Sequence, residues 1–97
     1  MTKLMMVEKL RAAVQEWAQK HSVELALLEV EPTGIEMDVR VIVVARKGFE
    51  NWPEIDRDES LYNHLRSVRD KEGIVNMLYL ITLSEKEYDK YDRVEVV

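Results

Sequence analysis

Glu36 and Asp38 are the first groups in this 97-residue chain whose spacing suggests chemistry. In a strand, alternation places both carboxylates on one sheet face. Nucleotide-transferring enzymes use such a pair to hold two divalent cations. That chemistry needs a third carboxylate nearby, from Glu24, Glu29 or Glu31, and a Gly-Ser phosphate loop upstream, which the sequence lacks. The solvated face of a hairpin strand explains the pair more simply. Glu54, Asp56, Asp58 and Glu59 form a second acidic group. They would suit a hard cation, but acidic residues also favour a helix N-terminus through its dipole. His21 and His64 have no serine or second acid at a spacing that supports a catalytic triad. There is no cysteine, which excludes disulfides, thiolate metal sites and thiol catalysis.

The segment Phe49 to Pro53 has the strongest claim to function. A loop with two large aromatics, Phe49 and Trp52, either folds back on the core or forms a contact surface. Arg57 follows, a residue type favoured at protein contacts, and then Asp58. The expected protein-contact residues are therefore Phe49, Trp52, Arg57 and Asp58. Glu36 and Asp38 remain the alternative metal pair. No cofactor is expected.

The elements that must position these groups follow from periodicity and caps. Residues 3–21 read as an amphipathic helix, with Val7, Leu10, Val14 and Trp17 at helical spacing. Val23 to Val30 reads as a strand, Glu31-Pro32-Thr33-Gly34 as a turn, and Ile35 to Ala45 as a second strand in an antiparallel hairpin. In that second strand Ile35, Met37, Val39, Val41 and Val43 share one face. Arg46 to Ile55 is a loop. Asp56, with Glu59 three residues on, reads as the cap of a second helix with the stripe Leu61, Leu65, Val68. Gly73 breaks the chain before Ile74 to Leu83, an apolar run that reads as a central strand buried on both faces. Ser84 with Glu87 is a capping box for a last helix through about Lys90. Asp92 to Val97 reads as a frayed tail or an edge strand.

The order is α-β-β-α-β-α, an α+β domain with a three-stranded mixed sheet covered by helices. The third strand returns through a helix and is expected parallel to one hairpin strand. Core candidates are Val7, Leu10, Val14, Trp17, Val41, Val43, Leu61, Leu65, Met77 and Tyr79. Residues 1–97 are expected to form a single domain. The net charge of −5 argues against a nucleic-acid or anionic-membrane partner. No apolar run approaches the ~18–20 residues of a membrane helix. A cytoplasmic location is the default expectation.

The second half of the chain resembles the BolA-like proteins, small α/β domains related in architecture to type II KH domains. The resemblance rests on Phe49, on Arg57-Asp58-Glu59-Ser60-Leu61-Tyr62, on Val75-Asn76-Met77-Leu78-Tyr79-Leu80, and on Thr82-Leu83-Ser84-Glu85-Lys86-Glu87-Tyr88. Glu8-Lys9-Leu10-Arg11-Ala12-Ala13 suits the family's first helix. The register holds over roughly residues 39–88. The resemblance implies a partner of the monothiol glutaredoxin kind and an iron–sulfur cluster held through histidine or cysteine. The residues here depart from that. The helix-start histidine position holds Asp58, and the strand histidine position holds Asn76, a poor substitute for imidazole. The hairpin turn offers Pro32, Thr33 and Gly34, none of them a ligand. KH-type RNA binding needs Gly-x-x-Gly, and Gly34, Gly48 and Gly73 are not so spaced.

The sequence therefore points first to a non-enzymatic protein-binding or regulatory module whose partner is another protein. The alternatives are a small metal-dependent nucleotide enzyme using Glu36 and Asp38, or a homo-oligomer that pairs Ile35–Ala45 or Asp92–Val97 with a second copy.

Overall fold

The computed structural model describes residues 3–34, 38–72 and 78–96. The elements are α1 (Lys3–Lys20), β1 (Glu24–Pro32), β2 (Val39–Lys47), α2 (Glu54–Glu72), β3 (Leu78–Ser84) and α3 (Glu85–Val96). The order is the expected α-β-β-α-β-α, and the fold is α+β with a mixed sheet. β1 pairs antiparallel with β2, and β2 pairs parallel with β3.

α1 forms because its apolar residues recur every three or four positions, so one face can be buried whole. Met6, Leu10, Val14 and Trp17 are all essentially inaccessible. The helix ends at Ser22, whose φ of 55° is left-handed, and the Val23 N–H closes on the Ala18 carbonyl at 2.8 Å. On β2, Val39, Val41, Val43 and Ala45 alternate onto the same core, where Leu61 and Leu65 of α2 meet them. Val44 and Leu83 are buried on the alternate positions, at the end of the sheet where α3 packs on β2 and β3.

Several expectations need correction. The strand order is β1-β2-β3, so β3 is an edge and β2 is the centre. An apolar run looks alike in both places, because helices packed on an edge strand also reward apolar side chains. Tyr79, expected in the core, is 46% exposed, and Met77 lies outside the described residues. β1 continues through Pro32, and the Thr33 N–H bonds the Asp38 carbonyl, so the hairpin connection is longer than a four-residue turn. Pro32 is tolerated because β1 is an edge.

α2 starts two residues before the expected cap. The Arg57 N–H bonds the Pro53 carbonyl at 3.0 Å, so Pro53 closes the first turn. Asp56 lies inside that turn with Glu54, where the dipole favours both. α3 runs to Val96, so Asp92–Val96 is helical rather than a tail or an edge strand. Of the two segments expected to pair between copies, one is thus helical and the other is largely β2, which has a neighbour on each side.

Candidate functional site

The C-terminal ends of the parallel strands β2 and β3, the loop from Gly48 to Pro53 and the starts of α2 and α3 surround one open cleft of about 920 Å³. Ala45, Phe49, Trp52 and Pro53 supply apolar lining, and Arg46, Lys47, Lys86 and Lys90 supply cations.

The loop is fixed at both ends. Gly48 has a φ of +112°, which favours glycine. A Cβ there would come within 2.8 Å of the Val23 backbone Cα, so the loop lies directly against the α1–β1 junction. The Gly48 N–H donates to the Glu50 carboxylate at 2.8 Å. That bond, the Glu50 backbone N–H, which contributes most, and Lys47 nearby hold the Glu50 carboxyl below its ordinary range. The loop then delivers its aromatics to the end of α1. Phe49 is buried at 5% exposure. Trp52 is half-buried, stacked on Trp17 with centroids 5.5 Å apart and edge-on to Phe49 at 6.1 Å. Exposed His21 completes the group, 5.1 Å from Trp52 and 5.5 Å from Trp17. The Trp17 indole N–H donates to Ser60 Oγ at 3.0 Å, which locks α1 to α2 beneath the loop.

Arg57 is the centre of the site and is only 3% exposed. Its Nε donates to Thr82 Oγ1 at 3.0 Å, one terminal nitrogen donates to the Trp52 carbonyl at 3.1 Å, and the other donates to the Thr82 carbonyl at 2.9 Å and to Glu87 Oε1 at 2.6 Å. The guanidinium also covers the Phe49 ring at 4.7 Å. The Thr82 hydroxyl, fully buried, donates to Asp58. Glu87 in turn accepts from the Ser84 N–H at 2.8 Å and the Glu87 N–H donates to Ser84 Oγ, which is the expected capping box. Burial works to raise the Glu87 carboxyl, but the Ser84 N–H, the Arg57 guanidinium and the Ser84 hydroxyl outweigh it and hold the group below its ordinary range. Among the described residues no buried side-chain nitrogen or oxygen lacks a partner.

The structure thus brings Phe49, Trp52, Arg57 and Asp58 together, but not as four surface groups. Phe49 and Arg57 are interior, Asp58 is half-buried against Thr82, and Trp52 is the one of the three cleft-lining members that stays half-accessible. Thr82, Ser84 and Glu87 complete the arrangement without having been sought as site residues. Their signal was present: a threonine inside Leu80-Ile81-Thr82-Leu83 is a polar group in a buried run, and such a group requires a partner.

The other expected groups lie elsewhere. Asp38 precedes β2, and Glu36 lies outside the described residues. Glu31 pairs with Arg40 at 3.1 Å and Glu24 with Arg46 at 3.1 Å, so two of the three possible supporting carboxylates face arginines. Among the described residues no three histidine or carboxylate side chains gather as metal ligands, Glu54, Asp56, Asp58 and Glu59 included. His64 approaches Glu16 at 3.5 Å. Asn76 lies outside the described residues.

The three-stranded mixed sheet in the order β1-β2-β3 with its three helices is a BolA-like fold. The solved structure of BolA1 from Arabidopsis thaliana matches it with a TM-score of 0.65 at 21% identity, over 84% of this chain and 94% of that one. A bol-like protein from Babesia bovis matches with a TM-score of 0.56 at 15% identity, over 86% of this chain and 93% of that one. No family model and no curated protein matches the sequence. Among the described residues no helix is long and apolar enough to cross a membrane.

Proposed function

We propose that this chain is a non-enzymatic protein-binding module that receives its partner in the cleft beside Trp52. One observation carries the reading. Trp52 is held from below by Trp17 and Phe49, yet stays half-accessible on the cleft wall. A large aromatic fixed in one orientation loses little entropy on binding and concentrates contact energy. Phe49 and Arg57 act from inside: they set the height of the loop and the position of α3 relative to it. Asp58 fixes the Thr82 hydroxyl on which Arg57 rests. The BolA-like fold is compatible with such a module, and the departures at Asp58 and Asn76 give no basis for assigning it a cluster.

The test is Trp52→Ala, followed by a thermal melt and a pull-down from the native host. A half-buried tryptophan is expected to cost about 2 kcal/mol of stability, roughly half the loss at a fully buried one. The variant should remain folded and lose partner capture. A folded variant that captures the same partner as the parent would remove Trp52, and with it this function.

A further inference from the structure

The partner's chemistry can be read from the charges around the cleft, an inference that rests on the binding function just proposed. Five of the chain's 14 basic side chains line the cleft, against four of its 19 acidic ones. Arg57 is buried, so the exposed lining carries four basic and four acidic groups, a balance in a protein whose net charge is −5.

The acidic lining groups are largely engaged within the fold. Glu87 is bound to Arg57, Glu85 lies 3.6 Å from Arg46, and Glu50 is turned onto the Gly48 N–H. Lys47, Lys86 and Lys90 are exposed and have no carboxylate within ion-pair distance among the described residues. Lys86 and Lys90 stand one helical turn apart on α3, and Lys47 ends β2. On the opposite, α2 side Glu54 has no ion pair among the described residues. The cleft therefore has an apolar patch centred on Trp52 and Pro53 with three lysine ammonium groups around it, Lys47 beside Glu50 and Lys86 and Lys90 with no ion pair among the described residues.

We infer that the occupant is an acidic extended segment of a partner protein, with one apolar side chain on Trp52 and carboxylates reaching Lys47, Lys86 and Lys90. The volume supports a segment rather than a globular surface, because clefts of about 300–1,000 Å³ take ligands the size of a few residues. Nucleic acid is disfavoured: the chain as a whole is acidic, and a polyanion longer than the cleft would run onto that surface.

The experiment is selection from an unbiased display library of random peptides about twelve residues long against the full chain. Trp52→Ala serves as counter-target, and a random single-stranded RNA pool is screened in parallel. The expected result is enrichment of peptides with clustered Asp and Glu around an aliphatic or aromatic residue. Their binding should weaken about tenfold against Lys47→Glu/Lys86→Glu/Lys90→Glu and should fall with salt, as contacts at rim charges do. Lys47→Gln/Lys86→Gln/Lys90→Gln is a second variant, expected to melt like the parent and to bind with intermediate strength. Enrichment of basic or neutral peptides that still depend on Trp52 would overturn the charge inference and leave the binding function standing. Peptides retained equally by the parent and Trp52→Ala, or no enrichment at all, would remove both. Selection of RNA in place of acidic peptides, lost in either lysine variant, would also overturn the inference.

Discussion

Beneath α1 and α2 the interior is dry, with Leu10, Val14, Leu61 and Leu65 closing on Val41 and Val43. One turn earlier along α2, the interior instead holds a guanidinium, a threonine and the edge of a carboxylate, all bonded to one another. Apolar packing depends on area and volume and has little directional demand. A buried ionic group has a strong one, since each of its donors must meet an acceptor at the correct angle. The dry region therefore sets how stable the protein is, while the polar region sets where three separate pieces stand. Arg57 touches the loop through the Trp52 carbonyl, β3 through Thr82 and α3 through Glu87, and these pieces form the cleft.

The largest effect is expected where that directional demand is broken. Arg57→Ala takes a donor from Thr82 Oγ1 and from the Thr82 and Trp52 carbonyls, and removes the cation from Glu87 and from the Phe49 ring. Each buried acceptor left unsatisfied costs about 1–3 kcal/mol. Urea denaturation measures the loss, and Trp52 fluorescence should shift as the loop is released. If the stability loss comes without a change in the Trp52 environment, Arg57 is only core and does not hold the cleft. Leu65→Ala probes the dry side, and its expected cost of ~2–5 kcal/mol carries no such shift. A binding defect in a still-folded Leu65→Ala protein would blur the division between the two regions.

The two regions also differed in how visible they were in the sequence. The dry core follows from local spacing, so Val7, Leu10, Val14, Trp17, Val41, Val43, Leu61 and Leu65 could be named from periodicity and all are buried. The Ser84–Glu87 box was equally local and is formed. Arg57 looked like a surface handle because its partners lie 25 and 30 residues away, and nothing in its neighbourhood announces burial. Phe49 was ambiguous for the same reason. Both outcomes for an aromatic loop have the same composition, and the ring is held inward by contacts with Trp17 and Arg57 that lie far from it in sequence or on another element. Tyr79 failed as a core residue because it stands beside exposed Arg40 at a position alternate to the core-facing Val39 and Val41, and a continuous apolar run does not encode which face is covered.

Gly48 sharpens the comparison from the backbone side. In Gly48→Ala the new methyl meets the Val23 Cα, and the φ of +112° is strained for any residue with a Cβ. A forced backbone of this kind costs about 1–3 kcal/mol. The damage should be confined to the loop. Hydrogen exchange would then rise at residues 48–53 while α1 and β2 remain protected. Global acceleration of exchange would mean that the loop is part of the core's cooperative unit and not a separately fixed wall.

Glu87 gives the smallest effect and the only one that pH can switch. Its carboxyl is held below the ordinary value of 4.5, so the folded state binds its proton more weakly than the unfolded state. The stability it adds is present above that value and is lost as pH falls through the lower, folded one. Glu87→Gln keeps an oxygen for the Ser84 N–H but removes the charge facing Arg57. The side chain is 42% exposed, so solvent screening discounts the pair, and a loss of about 1 kcal/mol at neutral pH is expected. Urea midpoints for parent and variant, measured between about pH 3 and pH 7, should show a gap that holds at neutral pH and closes on the acid side. A gap of constant size across that range would mean that Glu87 acts through shape alone. Arg57 would then be held by the Thr82 and Trp52 oxygens, and the polar region would resemble the dry one more than its charges suggest.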